Sequence, residues 1–303
     1  MDNPAEGPRK FPSQHFPPSC PKPLTSMITT AAYNVGDVLK LEILQSNHDV
    51  LPQYEEVSVE ITEFITCTMA TVVRVKFDKG CAVLKLYDRR FGNGLRDCGY
   101  ENIPYCEEAK AAFHGFLKRG AMGPFLKEMD DEDSTSDLLA RTASQIRAEP
   151  DGVARFEALL WRYTDKHYKT ETEAYMRMQD LQGVLIPRFY AAVLVATGKK
   201  NTRKNSYFDI HGILLESIEG HSLDEFISKP CAPTTEQEWL SIVQHAVDSV
   251  HDINERGIIL DDSAPRNVVV DRTSHQVFLI DFAQCFFKDT VFNTWEWDTD
   301  AED

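Results

Sequence analysis

Residues 257–285 read GIILDDSAPRNVVVDRTSHQVFLIDFAQC. Two apolar runs, VVV (268–270) and VFLID (277–281), flank the turn-like DRTSHQ (271–276), which predicts a β-hairpin with polar residues at its ends. Asp262, Asn267 and Asp281 are those polar residues. Either they are loop ends facing water, where Asp and Asn belong for turn reasons, or they converge on a metal and a phosphate.

Composition narrows the field. With 303 residues, 42% hydrophobic and 26% charged, the chain can bury a full core and suits one large domain or two lobes. A formal net charge of -16 argues against non-specific binding to nucleic acid or to an anionic membrane face, since both need excess Lys and Arg. No apolar run approaches the length of about 20 residues that spans a bilayer, and MDNPAEGPRK lacks the apolar core of a secretory signal, so a cytoplasmic or nuclear protein is expected. The 7 cysteines are odd in number and form no CxxC pair; they are expected as reduced, mostly buried thiols.

Upstream of the hairpin the texture changes several times. Residues 1–30 are Pro-rich and are expected to be a disordered arm. From Val57, VSVEITEFI, TVVRVKFD and CAVLKLYD read as a three-stranded meander. A helical, acidic insert follows over about 102–150; its acidic run is expected to be exposed, and residues Ser134 to Ser136, set among acids, are also candidates for phosphorylation. The helix ending in TEAYMRMQDLQG stops near Gly183, and IPRFYAAVLVAT and YFDIHGILLESI add two strands, making five. Thr235 and Glu238 then form a capping box ahead of Trp239, Leu240, Ile242, Val243, Ala246, Val247 and Val250, spaced for one apolar helix face.

This order of elements resembles the protein-kinase-like superfamily. Asp262 and Asn267 keep that family's Asp-x-x-x-x-Asn spacing, and Asp281-Phe282-Ala283 stands where it has Asp-Phe-Gly. The wording PRNVVV…LIDFAQ and EAYMRM…LQGVLIPRFY is most similar to compact kinase-like proteins of filamentous fungi, akin in style to RIO-type and lipopolysaccharide-core kinases. The resemblance implies an α+β, bilobal protein-kinase-like fold: a β-rich N-lobe over 31–215, then a hinge and a truncated, mainly helical C-lobe over 216–303. It also implies ATP and Mg2+ as cofactors. Asn267 and Asp281 would be metal ligands, because magnesium prefers carboxylate and amide oxygens. Asp262 would orient the acceptor hydroxyl and take its proton. Lys85 would reach the phosphates, braced by Glu173 on the helix; Glu171, two residues away, falls on another face. Val83, Leu215, Glu216, Ile218 and Ser222 would line the nucleotide's base and ribose, with Glu216 and Ile218 offering backbone groups. Arg266 would pair with an acceptor phosphate or with a neighbouring acid.

The chain also departs from the family pattern. ITEFITCTMATVV has no glycine where the family covers the phosphates with a Gly-rich loop, although amides at Thr66 to Ala70 remain within reach. Leu260 stands in place of a His two before Asp262, and Ala283 in place of Gly. Only 22 residues follow Asp281, so the usual activation segment is expected to be missing, with Trp295 and Trp297 capping the lower helices or forming a docking surface. Two functions follow from the resemblance: an ATP-dependent phosphotransferase acting on a hydroxyl of a protein or small molecule, or a pseudokinase that binds nucleotide or scaffolds without transfer. The expected partners are a nucleotide and that acceptor, with no nucleic acid and no membrane.

Overall fold

A computed structural model describes residues 33–46, 51, 55–78, 80–98, 101–134, 141–196 and 206–292. Apolar residues at alternate positions lay the first part down as strands: β1 (Val38–Ser46), β2 (Glu56–Cys67), β3 (Thr71–Phe77) and β4 (Gly80–Tyr87), each antiparallel to the next. Four helices intervene, α1 (Glu107–Lys118), α2 (Met122–Ser134), α3 (Ala143–Ala148) and α4 (Gly152–Arg177), before β5 (Phe189–Val195) and β6 (His211–Glu216) return to the sheet. Because β1 pairs with β5 as well as with β2, the order β1-β2-β3-β4-β6-β5 closes into a barrel. The first part therefore has six strands, not five. The additional one is β1, whose Leu41 and Ile43 point into the barrel core while Lys40 and Glu42 stay exposed.

Beyond its exposed start, β4 is buried on both sides, which matches its apolar text broken only by Lys85. Ala82, Leu84 and Leu86 fill the barrel, whereas Val83, Lys85 and Tyr87 face outward toward a second core that includes Tyr175 and Phe282. The long helix α4 serves three cores, one of them made by Phe156 and Leu160 with Leu95. Its first half packs Ala158 and Leu159 among Phe113, Phe116 and Phe125 of α1 and α2, and its last turns put Ala174 and Tyr175 against the outer face of the barrel. The acidic stretch is tied to it as well, since Arg162 holds Asp130 and Asp133 at 2.8 Å. Ser134 is exposed and its hydroxyl donates to the Asp131 carbonyl; Ser136 lies outside the described residues, as do Trp295 and Trp297.

After β6 come β7 (Gly220–Ser222), α5 (Leu223–Phe226), α6 (Glu236–Glu255), β8 (Ile258–Leu260), β9 (Val268–Asp271), β10 (Val277–Leu279), β11 (Cys285–Phe287) and α7 (Lys288–Phe292). The whole is a mixed α/β architecture with separate sheet and helical regions. The capping box of α6 forms, with Thr235 accepting from the Glu238 N–H and Glu238 reaching back to the Thr235 N–H. Its buried face is narrower than the spacing predicts: Ile242, Ala246, Ser249 and Ile253 are buried, but Leu240, Val243 and Val247 are exposed. Of the described cysteines, all free, Cys285 is buried while Cys81 and Cys106 are exposed, so the thiols are less buried than expected. Among the described residues no helix is long and apolar enough to cross a membrane.

Candidate functional site

Lys85 is placed by the β4 register, in a row with Val72 of β3 and Ile213 of β6 on the outer face of the barrel. Its Nζ lies 2.7 Å from Glu171 Oε2 on α4 and 2.7 Å from Asp281 Oδ1 beyond β10. Glu171 is fully buried; it also accepts from the Tyr87 hydroxyl and, at 3.4 Å, from the Phe282 N–H. Burial alone would depress the Lys85 ammonium, but the charges of Asp281 and Glu171 more than offset it and hold the pKa above its ordinary value. The two carboxylates differ for the same reason. Burial raises Glu171 despite its lysine, whereas for Asp281, with a side chain 39% exposed, burial is the largest single influence but is outweighed by the Lys85 charge together with the hydrogen bonds from Lys85 and the Ala283 N–H, so its pKa is lowered.

Asp281 has φ 66, a left-handed conformation that Asp tolerates better than most residues. The turn sends its carboxylate to Lys85 while Phe282 enters the core, edge-on to Tyr175 at 5.3 Å.

The predicted hairpin forms as β9 and β10, with Asp271 Oδ1 accepting from the Thr273 and Ser274 N–H groups at its turn. At its open end the Asn267 carbonyl accepts from the Ile280 N–H at 2.9 Å, which brings Asn267 beside the residue preceding Asp281. Asn267 Nδ2 donates to the Asp262 carbonyl at 2.9 Å and to its Oδ2 at 3.0 Å, and the Arg266 guanidinium donates to Asp262 Oδ1. Of the two partners open to Arg266, the structure supplies the neighbouring acid. No group of three or more His, Cys, Asp or Glu that could hold a metal ion occurs among the described residues. Asn267 and Asp281 offer an amide and a carboxylate oxygen, a set suited to a magnesium shared with phosphate oxygens and water rather than caged by protein alone.

At the other end of the β4 face, Val83 stands opposite Leu215, and both pack into the second core. The Glu216 N–H is taken by the Arg188 carbonyl at 2.8 Å, and its carboxylate accepts from the Arg188 N–H and guanidinium. The Ile218 carbonyl accepts from the Gly220 N–H at 3.0 Å. The Glu216 N–H and carboxylate and one acceptor site of the Ile218 carbonyl are thus engaged within the protein. Ser222 lies beyond them, opposite Val269 in the β7–β9 ladder and at the start of α5. Gly220 makes that ladder possible, since a Cβ there would sit 2.2 Å from the Val270 carbonyl oxygen.

The glycine-free turn between β2 and β3 is strapped down. Its Cys67 and Thr68 carbonyls accept from the N–H groups of Asn93, Gly94 and Leu95. Gly92 (φ +116) admits this approach, because a Cβ there would lie 2.6 Å from Thr68 O. The glycines missing from the turn thus occur in the segment that holds it.

The expectation for Glu173 is corrected. That residue points away from Lys85 and pairs with Arg177 on the surface. The reason is helix phase: Glu171, Ala174, Tyr175 and Met178 share the buried face, and position 173 lies roughly 200° around from 171. A glutamate in register with apolar residues was the signal available in the sequence. His167, one turn before Glu171, was also missed. Its Nδ1 is buried without a hydrogen-bond partner among the described residues, and burial, then the Lys85 charge, lowers its pKa to about 4.

No family model matches the sequence. Over 74 residues, 24% of this chain, it is 35% identical to the probable serine/threonine-protein kinase fnkB of Dictyostelium discoideum; the chain spans 14% of that relative's length. A structure of vaccinia related kinase 3 aligns with a TM-score of 0.39 and 12% identity, covering 86% of this chain and 54% of the other.

Proposed function

We propose that the chain is a protein-kinase-like domain that binds Mg-ATP between the outer face of β4 and the open end of the β9–β10 hairpin and transfers a phosphoryl group to a hydroxyl. The observation that carries this reading is Lys85 held at 2.7 Å from both Glu171 and Asp281, with Asn267 and Asp262 adjoining. In it, residues 31–215 and 216–303 act as two lobes, of the compact fungal type. Lys85, braced by Glu171, contacts phosphate oxygens as a fixed cation. Asn267 and Asp281 hold the metal, which supplies charge neutralisation on the phosphates. Asp262 orients the acceptor hydroxyl and accepts its proton, with Asn267 and Arg266 fixing the carboxylate. The Glu216 carbonyl and Ile218 N–H meet the base, between Val83 and Leu215. The acceptor is a protein or a small molecule.

A pseudokinase reading keeps nucleotide binding, or only a scaffolding role, without transfer; Leu260 and Ala283, standing where the family pattern has His and Gly, favour it. Melting with and without millimolar Mg-ATP, together with loss of the γ-phosphate followed by mass spectrometry, separates the possibilities. Mg-ATP at a hundred times its Kd stabilises by about 2.7 kcal/mol, and Asp281→Asn should abolish the magnesium-dependent part. Asp262→Ala should remove turnover and spare binding. An identical melt with and without Mg-ATP would refute the phosphotransferase and the nucleotide-binding pseudokinase and leave only a scaffold; binding without γ-phosphate loss would leave the nucleotide-binding pseudokinase.

A further inference from the structure

Arg74 is absent from every site residue named so far, yet it lies across the base end of the cleft. In the sheet register, Glu63 of β2, Arg74 of β3, Val83 of β4 and Leu215 of β6 stand opposite one another in a single row. Directly opposed residues share a face, so Arg74 projects on the outer side with Val83. The parallel row through Val72, Lys85 and Ile213 lies two residues along, about 7 Å away.

From this position the Arg74 guanidinium reaches past its own neighbourhood. It donates to Glu63 Oε2 at 2.9 Å, to Ser217 Oγ, and to Glu219 Oε1 at 3.2 Å. Ser217 and Glu219 follow β6, and β4 lies between β3 and β6. The Arg74 side chain, rooted in the row of Val83, therefore reaches past β4 to the segment after β6, beyond the point where Ala82 stands opposite Glu216. Glu219 carries the connection further, because its carboxylate approaches Arg272 at 3.6 Å and its carbonyl accepts from the Arg272 N–H at 3.0 Å.

We infer that Arg74 is a positioning residue for the base end of the cleft, a strut that holds residues 217–219 at a set distance from β3 and so fixes the slot a nucleobase enters. This rests on the nucleotide reading above. Arginine suits the task because its planar fork engages Glu63 and the Ser217–Glu219 pair at once, which a lysine's single ammonium cannot.

Three probes on the full chain test it by calorimetry: Mg-ATP, adenosine, and magnesium tripolyphosphate, which has no base. Arg74→Ala should weaken adenosine and Mg-ATP by roughly five- to tenfold, the scale of two exposed ion-pair contacts, and leave tripolyphosphate unchanged. Arg74→Lys should fall in between. Ser217→Ala combined with Glu219→Gln should weaken adenosine alike and add little to Arg74→Ala, and it carries the test should Arg74→Ala misfold. If the wild type binds Mg-ATP but Arg74→Ala, or the Ser217/Glu219 pair, binds adenosine unchanged or more tightly, the strut is refuted and the nucleotide reading stands. Equal losses for adenosine and tripolyphosphate would refute it too, as a general structural effect. If the wild type binds neither Mg-ATP nor adenosine, both inferences fall together.

Discussion

Lys85→Met removes the one cation between two carboxylates. Glu171 and Asp281 each place an oxygen 2.7 Å from Nζ, so those oxygens lie within twice that distance of each other. At about 5 Å and an effective dielectric of about 20, their mutual repulsion is about 3 kcal/mol. Glu171 is also left buried with no cation in contact, and breaking buried pairs of this kind costs about 3–5 kcal/mol. Asp281 is 39% exposed, and solvent screening draws the total toward the lower figure. For a chain of this size that is a fall in Tm of roughly 6–12 °C at pH 7. The second mutation locates the cause. Glu171→Gln in the Lys85→Met background should recover at least half of the loss, because the orphaned carboxylate is gone. Glu173→Gln in the same background should recover nothing, since Glu173 is on the surface with Arg177. Urea melts of the three variants at constant m provide the measurement. A loss below about 1 kcal/mol for Lys85→Met, or equal recovery by the two glutamines, would show that the Lys85–Glu171–Asp281 contact does not govern this part of the fold.

Two further perturbations report on the same surroundings. Gly220→Ala forces a Cβ onto the Val270 carbonyl oxygen and should cost about 1–3 kcal/mol by urea midpoint, with an unchanged midpoint meaning that β7 is not held against β9. His167 titrates near 4 in the fold against an ordinary 6.5, so the unfolded chain takes up a proton that the fold refuses. The associated stability is complete above about pH 6.5 and is lost as pH falls toward 4, by at most about 3 kcal/mol. His167→Phe should flatten that part of the pH profile, and an unaltered profile would place the titration elsewhere.

The parts of the fold and site that were legible in sequence are those with a short-range rule. The β9–β10 hairpin follows from two apolar runs around a turn, the α6 start from Thr235 and Glu238, and the outward placement of Val83 with Lys85 from strand alternation. What stayed hidden depends on long-range register or on phase. β1 carries a readable alternation, Leu39, Leu41 and Ile43 against Lys40 and Glu42, but its pairing with β5 across the barrel is not legible locally. Arg74 reads as the polar member of an alternating strand, and nothing local announces that its partners are 143 and 145 residues away. Glu171 and Glu173 differ only in helix phase, and the phase of α4 is fixed by which of its residues meet the barrel.

The strapped turn between β2 and β3 is tied to the same helix that carries Glu171. Its holding segment, with Gly92 and Gly94, is itself fastened by Arg96, which donates to the Arg89 and Ile103 carbonyls and, with Arg89, to the buried Glu157 of α4. Two turned-in guanidiniums on one carboxylate are expensive to disturb, so the strap has little freedom relative to that helix. Glu171, which orients Lys85, projects from the same helix fourteen residues on, a rise of about 21 Å. The turn that would roof the phosphates and the carboxylate that aims the lysine beneath them are therefore positioned by one rigid element. A glycine-rich loop gains its fit to a ligand by moving. Under the nucleotide reading proposed above, the fit of this glycine-free turn would instead be set by the segment that α4 holds.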